Sequence, residues 1–325
     1  MSAAAQVSVR RENDEQRTRL LDQLKAYLGP EILGYLAEND VVEILLNADG
    51  ALWVERLGCA MECFGKMAPH QGRVILDSIA GLVGTTLTAE NPILECEFPI
   101  DDSRFEALIP PVVSAPAFAL RMKPGRIFTL DDYVTSGALS GAQRQAIGRA
   151  IVDRCNILVV GGTGSGKTTL TNAILHAMSV ETPDDRIVII EDTAELMCAA
   201  ANHQLLRATA AVSMLKLLKV TMRLRPDRIV VGEVRGEEAL ALLKAWNTGH
   251  PGGVATVHAN GGRAGLLRMQ SLVSEATPAP MQEMIATAVN MVVVIAKTPE
   301  GRRIREILRV TGYRDGDYLT EAVEA

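Results

Sequence analysis

Eight consecutive residues, Gly161-Gly162-Thr163-Gly164-Ser165-Gly166-Lys167-Thr168, satisfy the spacing G-x-x-x-x-G-K-[ST] at every fixed position, and Thr169 follows directly. Glycines at this density let a backbone turn tightly enough to aim several N–H groups at phosphate oxygens. A lysine adds a point charge for the β/γ-phosphates, and a threonine hydroxyl is a hard ligand for Mg²⁺. The candidate nucleotide-binding residues are therefore Gly162, Thr163, Gly164, Ser165, Gly166, Lys167, Thr168 and Thr169. Lys167 is set on the terminal phosphates and Thr168 on the metal, and the bound species expected is ATP with Mg²⁺.

Three further stretches carry charge to the ends of apolar runs. Glu191-Asp192-Thr193-Ala194-Glu195 follows Ile187-Val188-Ile189-Ile190. Either of the two adjacent carboxylates suits Mg²⁺ held through water or an attacking water. Glu191 is the catalytic candidate of the pair and Asp192 the metal candidate. In Arg228-Ile229-Val230-Val231-Gly232-Glu233, glycine occupies the place where a metal-holding aspartate is usual, and Glu233 stands next to it. A carboxylate there fits a water-activating base, and the neighbouring Arg235 is a candidate partner for a carboxylate. The run Gly253 to Val257 ends at His258, which suits a γ-phosphate sensor; His250 sits earlier in a Gly/Pro turn and is the weaker candidate. None of these groups has metal-ligand spacing of its own.

The segments around these residues alternate strand and helix. Asn156 to Val160 is an apolar run of buried-strand length, and Leu170, Ala173, Ile174, Ala177 and Met178 recur at one-face helical spacing. The glycine loop thus joins a strand to a helix whose positive N-terminus faces an anion. Further strands are expected at Arg186–Ile190, Arg228–Val231, Gly253–Val257 and Met291–Ile295, with helices at Val212–Leu224, Glu237–Thr248 and Met281–Val289. Ser140-x-x-Gln143 is a capping box ahead of another helix. Such alternation predicts a largely parallel sheet covered on both faces, binding ligands at its strands' carboxyl ends.

Residues 1–125 read differently, as a small α+β domain, with a linker at 126–138 and the nucleotide domain at 139–325. The segment Ser2–Gln16 is expected to fray, and the apolar stripe Leu20, Leu21, Leu24, Tyr27, Leu28 to end at Gly29-Pro30. Strands are expected at Val42–Leu46, Ala51–Val54, Pro92–Ile100, Arg104–Ile109 and Ala117–Met122, and a helix through Val74, Ile75, Ile79 and Leu82. Two strand-end arginines, Arg104 and Arg121, are either solvated charges or groups reaching a phosphate held by another domain or subunit.

A chain of 325 residues with 48% hydrophobic and 22% charged content is long enough for two domains and a full core without disulfides. Five cysteines, an odd number without a C-x-x-C pair, suit reduced thiols. A net charge of −6 and only 4% aromatics argue against direct sequence-specific nucleic-acid binding. No apolar stretch reaches membrane-span length, so a cytoplasmic protein is expected, with any membrane association peripheral.

Taken in order, GGTGSGKTT, IIEDTAEL, RPDRIVVGEVRG and GHPGGVATVHAN resemble the secretion and conjugation ATPases of type II and type IV secretion, over about Ile32 to Arg309. The stretch LLKAWNTGHPGGVATVHAN is most similar to the TrbB-type conjugative transfer branch, and a four-cysteine insertion typical of the type II branch is absent. The resemblance implies a RecA-like P-loop domain beside the smaller α+β domain, in a homohexameric motor that hydrolyses ATP. It also implies partners in the secretion machinery at the inner membrane. Glu233 becomes the catalytic carboxylate, Glu191, Asp192 and Glu195 acidic-box residues, and His258 a sensor. Arg104 and Arg121 become phosphate-directed arginines, joined less firmly by Arg207 and by Arg223 or Arg225. Two alternatives share this core, a DNA-translocating motor or helicase and a nucleotide-dependent assembly protein with little turnover.

Overall fold

The computed structural model describes residues 3–123, 127–209 and 211–324, with side chains from residue 17 onward. The chain divides into two compact units, residues 1–126 and 127–325. Pro124 and Gly125, at the boundary read from sequence, lie outside the described residues.

In the first unit, α1 (Ala3–Leu36) breaks at Gly29, whose φ of 78° is non-helical, and Pro30 opens the continuation. The carbonyl of Tyr27 freed at the break accepts from Gln71 Nε2 at 3.0 Å. The described backbone is helical from Ala3, where fraying was expected; Ala3-Ala4-Ala5 and the Arg, Glu and Gln residues behind them are strong helix formers. After α1 come β1 (Val41–Leu46), β2 (Ala51–Arg56), β3 (Glu62–Lys66), α2 (Pro69–Leu82), β4 (Ile93–Glu97), β5 (Arg104–Leu108) and β6 (Ala117–Arg121). The strands form an antiparallel sheet in the order β3-β2-β1-β6-β5-β4. Leu24, Leu28 and Ile32 of α1 and Ile75, Leu76 and Ile79 of α2 share one core cluster with Ile44, Val54, Phe105 and Leu120 of the sheet. Each such side chain, fully buried, contributes roughly 1.5–3 kcal/mol.

The second unit begins with α3 (Leu130–Thr135) and α4 (Gly141–Val152), each opened by a complete capping box: Thr129 with Asp132, and Ser140 with Gln143. The stretch expected as linker therefore contains a capped helix that buries Leu130 and Tyr133. Then follow β7 (Ile157–Gly161), α5 (Lys167–Glu181), β8 (Ile187–Glu191), β9 (His203–Arg207), α6 (Met214–Thr221), β10 (Arg228–Val231), α7 (Glu238–Asn247) and β11 (Val254–His258). The unit closes with α8 (Gly262–Ala276), α9 (Gln282–Ala288), β12 (Met291–Thr298), β13 (Gly301–Arg314) and β14 (Asp317–Ala322).

Among the described residues these strands make one sheet ordered β14-β13-β12-β7-β11-β10-β8-β9. It is parallel from β12 to β9, with an antiparallel hairpin on the β12 side. Side chains alternate between two cores. Ile157 and Val159 face the cluster formed with α4 and α5, while Leu158 and Val160 face the one formed with α6, α7, α8 and α9. Burial on both faces explains why these strands read as unbroken apolar runs.

Two buried polar hubs fix the ends of the strands remote from the glycine loop. Asn156 accepts from the N–H groups of Gly252 (2.8 Å) and Gly253 (3.0 Å) and donates to the Ala288 carbonyl (2.7 Å), tying β7 to the entries of β11 and β12. Arg228, fully buried, donates to Asp185 (2.6 Å) and to the carbonyls of Gly252 and Ile151, each at 2.9 Å.

Candidate active site

The glycine loop leaves β7 at Gly161 and enters α5 at Lys167, so it crowns the carboxyl end of the strand flanked by β11 and β12. Glycine at 161 is a matter of space: a Cβ would fall inside van der Waals contact of Ser165 Oγ and the Ile295 carbonyl. Gly166 instead caps α5 at φ 97°, a backbone shape that a side chain resists. Thr163 and Gly164 are exposed at the tip, whereas Ser165 and Lys167 are buried. Lys167 Nζ donates to the carbonyls of Gly161 (3.0 Å) and Gly162 (3.1 Å) and lies 3.1 Å from Nδ1 of His258.

His258 is the last residue of β11 and pairs in register with Gly161, the last residue of β7. Its Nε2 lies 2.8 Å from Glu233 Oε1. Burial, reinforced by Lys167, Arg235 and Arg268, holds its pKa below the ordinary 6.5 despite the opposing charge of Glu233. Lys167 has donors only, so Nδ1 of the ring, at 3.1 Å, is the acceptor of that pair, while Glu233 stands beside Nε2 as a neighbouring charge. Glu233 Oε2 accepts from Arg235 Nη2 (2.7 Å), and Arg235 Nη1 donates to Asp192 Oδ2 (2.6 Å). A continuous run of polar contacts thus links Lys167, His258, Glu233, Arg235 and Asp192 across the ends of β7, β11, β10 and β8. Gly232, just before Glu233, leaves room for the neighbouring Glu191, because a Cβ there would stand 3.1 Å from Glu191 Cβ.

The acidic stretch folds back on itself. Glu191 is buried, and its Oε2 accepts from the N–H groups of Glu195 and Leu196, each at 3.0 Å. Burial raises its pKa against those two bonds and the charge of Arg207, its register neighbour on β9. Glu191 therefore holds the turn, and the turn brings Glu195 to the loop: Thr168 Oγ1 donates to Glu195 Oε2 at 2.9 Å. Asn172 of α5, which the sequence reading passed over, clamps the same turn by donating to the Glu195 carbonyl (3.1 Å) and accepting from Met197 N–H (2.8 Å). Asp192, the sequence's metal candidate, is bonded to Arg235, and the carboxylate on Thr168 belongs to Glu195.

The loop, Glu195, Glu233 and His258 thus meet in the second unit. Arg223 and Arg225 do not join them, since both precede β10, at the end of the sheet away from the loop. His250 likewise precedes β11, with its Nδ1–H on the Pro226 carbonyl at 2.9 Å. In the first unit, Arg104 and Arg121 lie directly opposite each other on β5 and β6, flanked in the same row by Glu97 and Glu43. The two like charges repel, and the carboxylates on either side offset that repulsion: against the burial that raises the Glu43 pKa, Arg121 and Arg104 both lower it.

The donor set fits a hydrated Mg²⁺ and not an all-protein cage. A threonine hydroxyl and one carboxylate stand side by side at the loop, and no group of three or more His, Cys, Asp or Glu residues suited to a metal occurs among the described residues. A glycine-rich loop opening a helix at the carboxyl ends of parallel strands, with lysine, threonine, carboxylates and a histidine converging on it, gives this α/β protein the geometry of a phosphate-binding site.

The chain belongs to the Type II/IV secretion system protein family, which it matches over residues 31–304. It is 50% identical over 303 residues to the conjugal transfer protein TrbB of Rhizobium radiobacter, covering 93% of this chain and 94% of that one. It is 29% identical over 314 residues to VirB11 of Agrobacterium fabrum, covering 83% of this chain and 89% of the other. Among solved structures, the fold is similar to that of the pilus retraction motor PilT with bound ADP. That likeness has a TM-score of 0.63 and 21% identity, over 91% of this chain and 83% of that one. No helix among the described residues is long and apolar enough to cross a membrane.

Proposed function

We propose that this protein is a RecA-like P-loop ATPase that energises a type IV secretion or conjugative transfer apparatus, working as a homohexamer at the cytoplasmic face of the inner membrane. The observation that carries the enzymatic part is the chain Lys167–His258–Glu233 beside the glycine loop, at the ends of three adjacent strands. The half-identity to a TrbB and the similarity to VirB11 carry the biological part.

In this reading the loop N–H groups and Lys167 hold the β- and γ-phosphates. Glu233 accepts a proton from the water that attacks the γ-phosphorus as the bond to the β-bridging oxygen breaks. His258, neutral, stands beside Glu233 and senses the terminal phosphate through Lys167, whose ammonium its Nδ1 accepts from. Thr168 and Glu195 are the residues that would hold Mg²⁺, which supplies charge neutralisation of the phosphates when bound. Glu191 and Asn172 are positioning residues for Glu195, and Arg235 is one for Glu233. Arg104 and Arg121, a like-charged pair in register, are suited to a phosphate presented to the first unit, in cis or from a neighbouring subunit.

The test is phosphate release by the purified full chain and by Lys167→Ala, each with and without DNA. Wild-type turnover, lost in the variant at an unchanged thermal melt and indifferent to DNA, is expected. Equal turnover in the two proteins removes the nucleotide assignment, and strong DNA stimulation replaces the secretion reading with a DNA motor.

A further inference from the structure

Beyond the groups at the terminal phosphate, one arginine lies on the other flank of the loop with its chemistry unspent. Arg302, the second residue of β13, pairs in register with Lys297 of β12, where the hairpin runs on past the end of β7. Its side chain lies along the glycine loop. A Cβ built on Gly166 would stand 2.8 Å from Arg302 Cδ and 3.4 Å from Ile295 Cδ1. Nη2 reaches the Gly164 carbonyl only at 3.5 Å, and Nε is buried without a hydrogen-bond partner among the described residues. A buried N–H of a charged group left unpaired is unfavourable, so such an atom points to a ligand.

Strand order says which part of a ligand. Glu195, Glu233 and His258 all come from strands on one side of β7, namely β11, β10 and β8, and they gather around Lys167 and Thr168. A triphosphate whose terminal phosphate meets those groups extends its nucleoside toward the opposite flank, which is the β12–β13 hairpin. The planar guanidinium stacks on aromatic faces and offers its donors in the same plane, as a lysine ammonium does not.

We propose that Arg302 is a nucleoside-binding residue: its stem is seated on Gly166, its guanidinium plane lies against the base, and its Nε–H serves the ribose. This rests on the ATPase reading above and deepens it by naming what selects a nucleotide over a bare polyphosphate.

Titration calorimetry of the full chain with Mg²⁺ and either ADP or inorganic tripolyphosphate tests it in wild type, Arg302→Ala and Arg302→Lys. ADP affinity is expected to fall about tenfold in Arg302→Ala, a change of ~1.4 kcal/mol. Tripolyphosphate affinity should stay within about twofold. Arg302→Lys, which keeps the charge and loses the plane, should weaken ADP in the same selective way. Equal losses for both ligands would show that Arg302 acts on the phosphates or on the loop's shape, and no loss for ADP would leave it without a role; either overturns the proposal. If Arg302→Ala does not fold, Arg302→Lys decides alone by the same comparison. Wild-type protein that binds neither ligand refutes the ATPase reading itself, an outcome distinct from selective loss in the variants.

Discussion

Glu233→Gln separates catalysis from binding more cleanly than any other change at this site. The glutamine keeps the length and shape of the side chain, so an oxygen can still stand 2.8 Å from His258 Nε2. The other oxygen, 2.7 Å from Arg235 Nη2, becomes an amide NH₂ facing a donor, and one charge-assisted bond is lost. Such bonds contribute about 1.5–3 kcal/mol when well buried. Here the Arg235 side chain is 53% exposed, so solvent reduces the stability cost to about 1 kcal/mol or less. The effect on the barrier is larger. A positioned general base contributes about 10²–10⁴ in rate, and each decade is about 1.36 kcal/mol, so the barrier should rise by roughly 3–5 kcal/mol. Phosphate release under saturating ATP, alongside calorimetric ADP affinity and a thermal melt, reads all three quantities. A turnover within about threefold of wild type would sink the assignment of Glu233 as base. A fall in affinity as large as the fall in turnover would make Glu233 a binding residue instead.

Two further outcomes follow from other parts of the structure. The pH–rate profile should have its acid limb below the ordinary histidine value of 6.5, because burial and three nearby cations disfavour protonated His258. As pH falls through that depressed value the Nδ1 acceptor for Lys167 is lost, so a limb at or above 6.5, or one unmoved in His258→Asn, contradicts the relay. Asp185→Asn should be destabilised by roughly 3–5 kcal/mol at neutral pH, since it leaves the fully buried Arg228 uncompensated. For a unit of this size that is a melting-point drop of roughly 6–20 °C. Although burial raises the Asp185 pKa, Arg228 and Arg154 outweigh it and hold the group below its usual 3.8. The stabilisation is therefore present above the unfolded value and lost as pH falls through the folded one, so the two proteins' melting points should converge only below about pH 4. A constant gap down to pH 2 would refute the pair as the cause.

The fold of the second unit was legible because its strands are buried on both faces. Ile157–Val160, Ile187–Ile190 and Arg228–Val231 announce themselves as apolar runs, and Ser140 with Gln143 marks a helix start by side-chain chemistry alone. Where the pattern is weaker the reading failed. β9 is an edge strand whose residues are mostly exposed, and β13 carries Arg302, Arg303, Arg305 and Arg309 between its apolar positions, so neither stood out from loop. The site was legible as a set of strand ends, not as a set of contacts. Spacing placed Glu191, Asp192 and Glu195 together but gave no way to tell which one faces Thr168. That is decided by Glu191 turning inward to cap the N–H groups of Glu195 and Leu196. Arg302 was hidden for a different reason, since its approach to the loop depends on β13 returning beside β12, a pairing that sequence order alone does not give.

The polar groups at the loop explain why binding should be coupled to movement of the surrounding turns. Lys167 is bonded to two loop carbonyls and His258, Thr168 to Glu195, and Glu233 to Arg235 with His258 close beside it. A triphosphate must exchange with these partners one by one. Each of these bonds has a charged partner and is worth about 1.5–3 kcal/mol; exchange for a phosphate or metal contact returns a comparable amount, so the net drive comes from phosphate charge meeting Lys167 and the helix N-terminus. When Lys167 turns to the phosphate, His258 loses its donor. When Thr168 turns to the metal, the Glu195 turn is free to shift on its Glu191 and Asn172 supports. In the function proposed above, the groups that would meet the phosphates and the metal are the same groups that hold His258 and the Glu195 turn, so hydrolysis would be conditional on correct seating of the nucleotide.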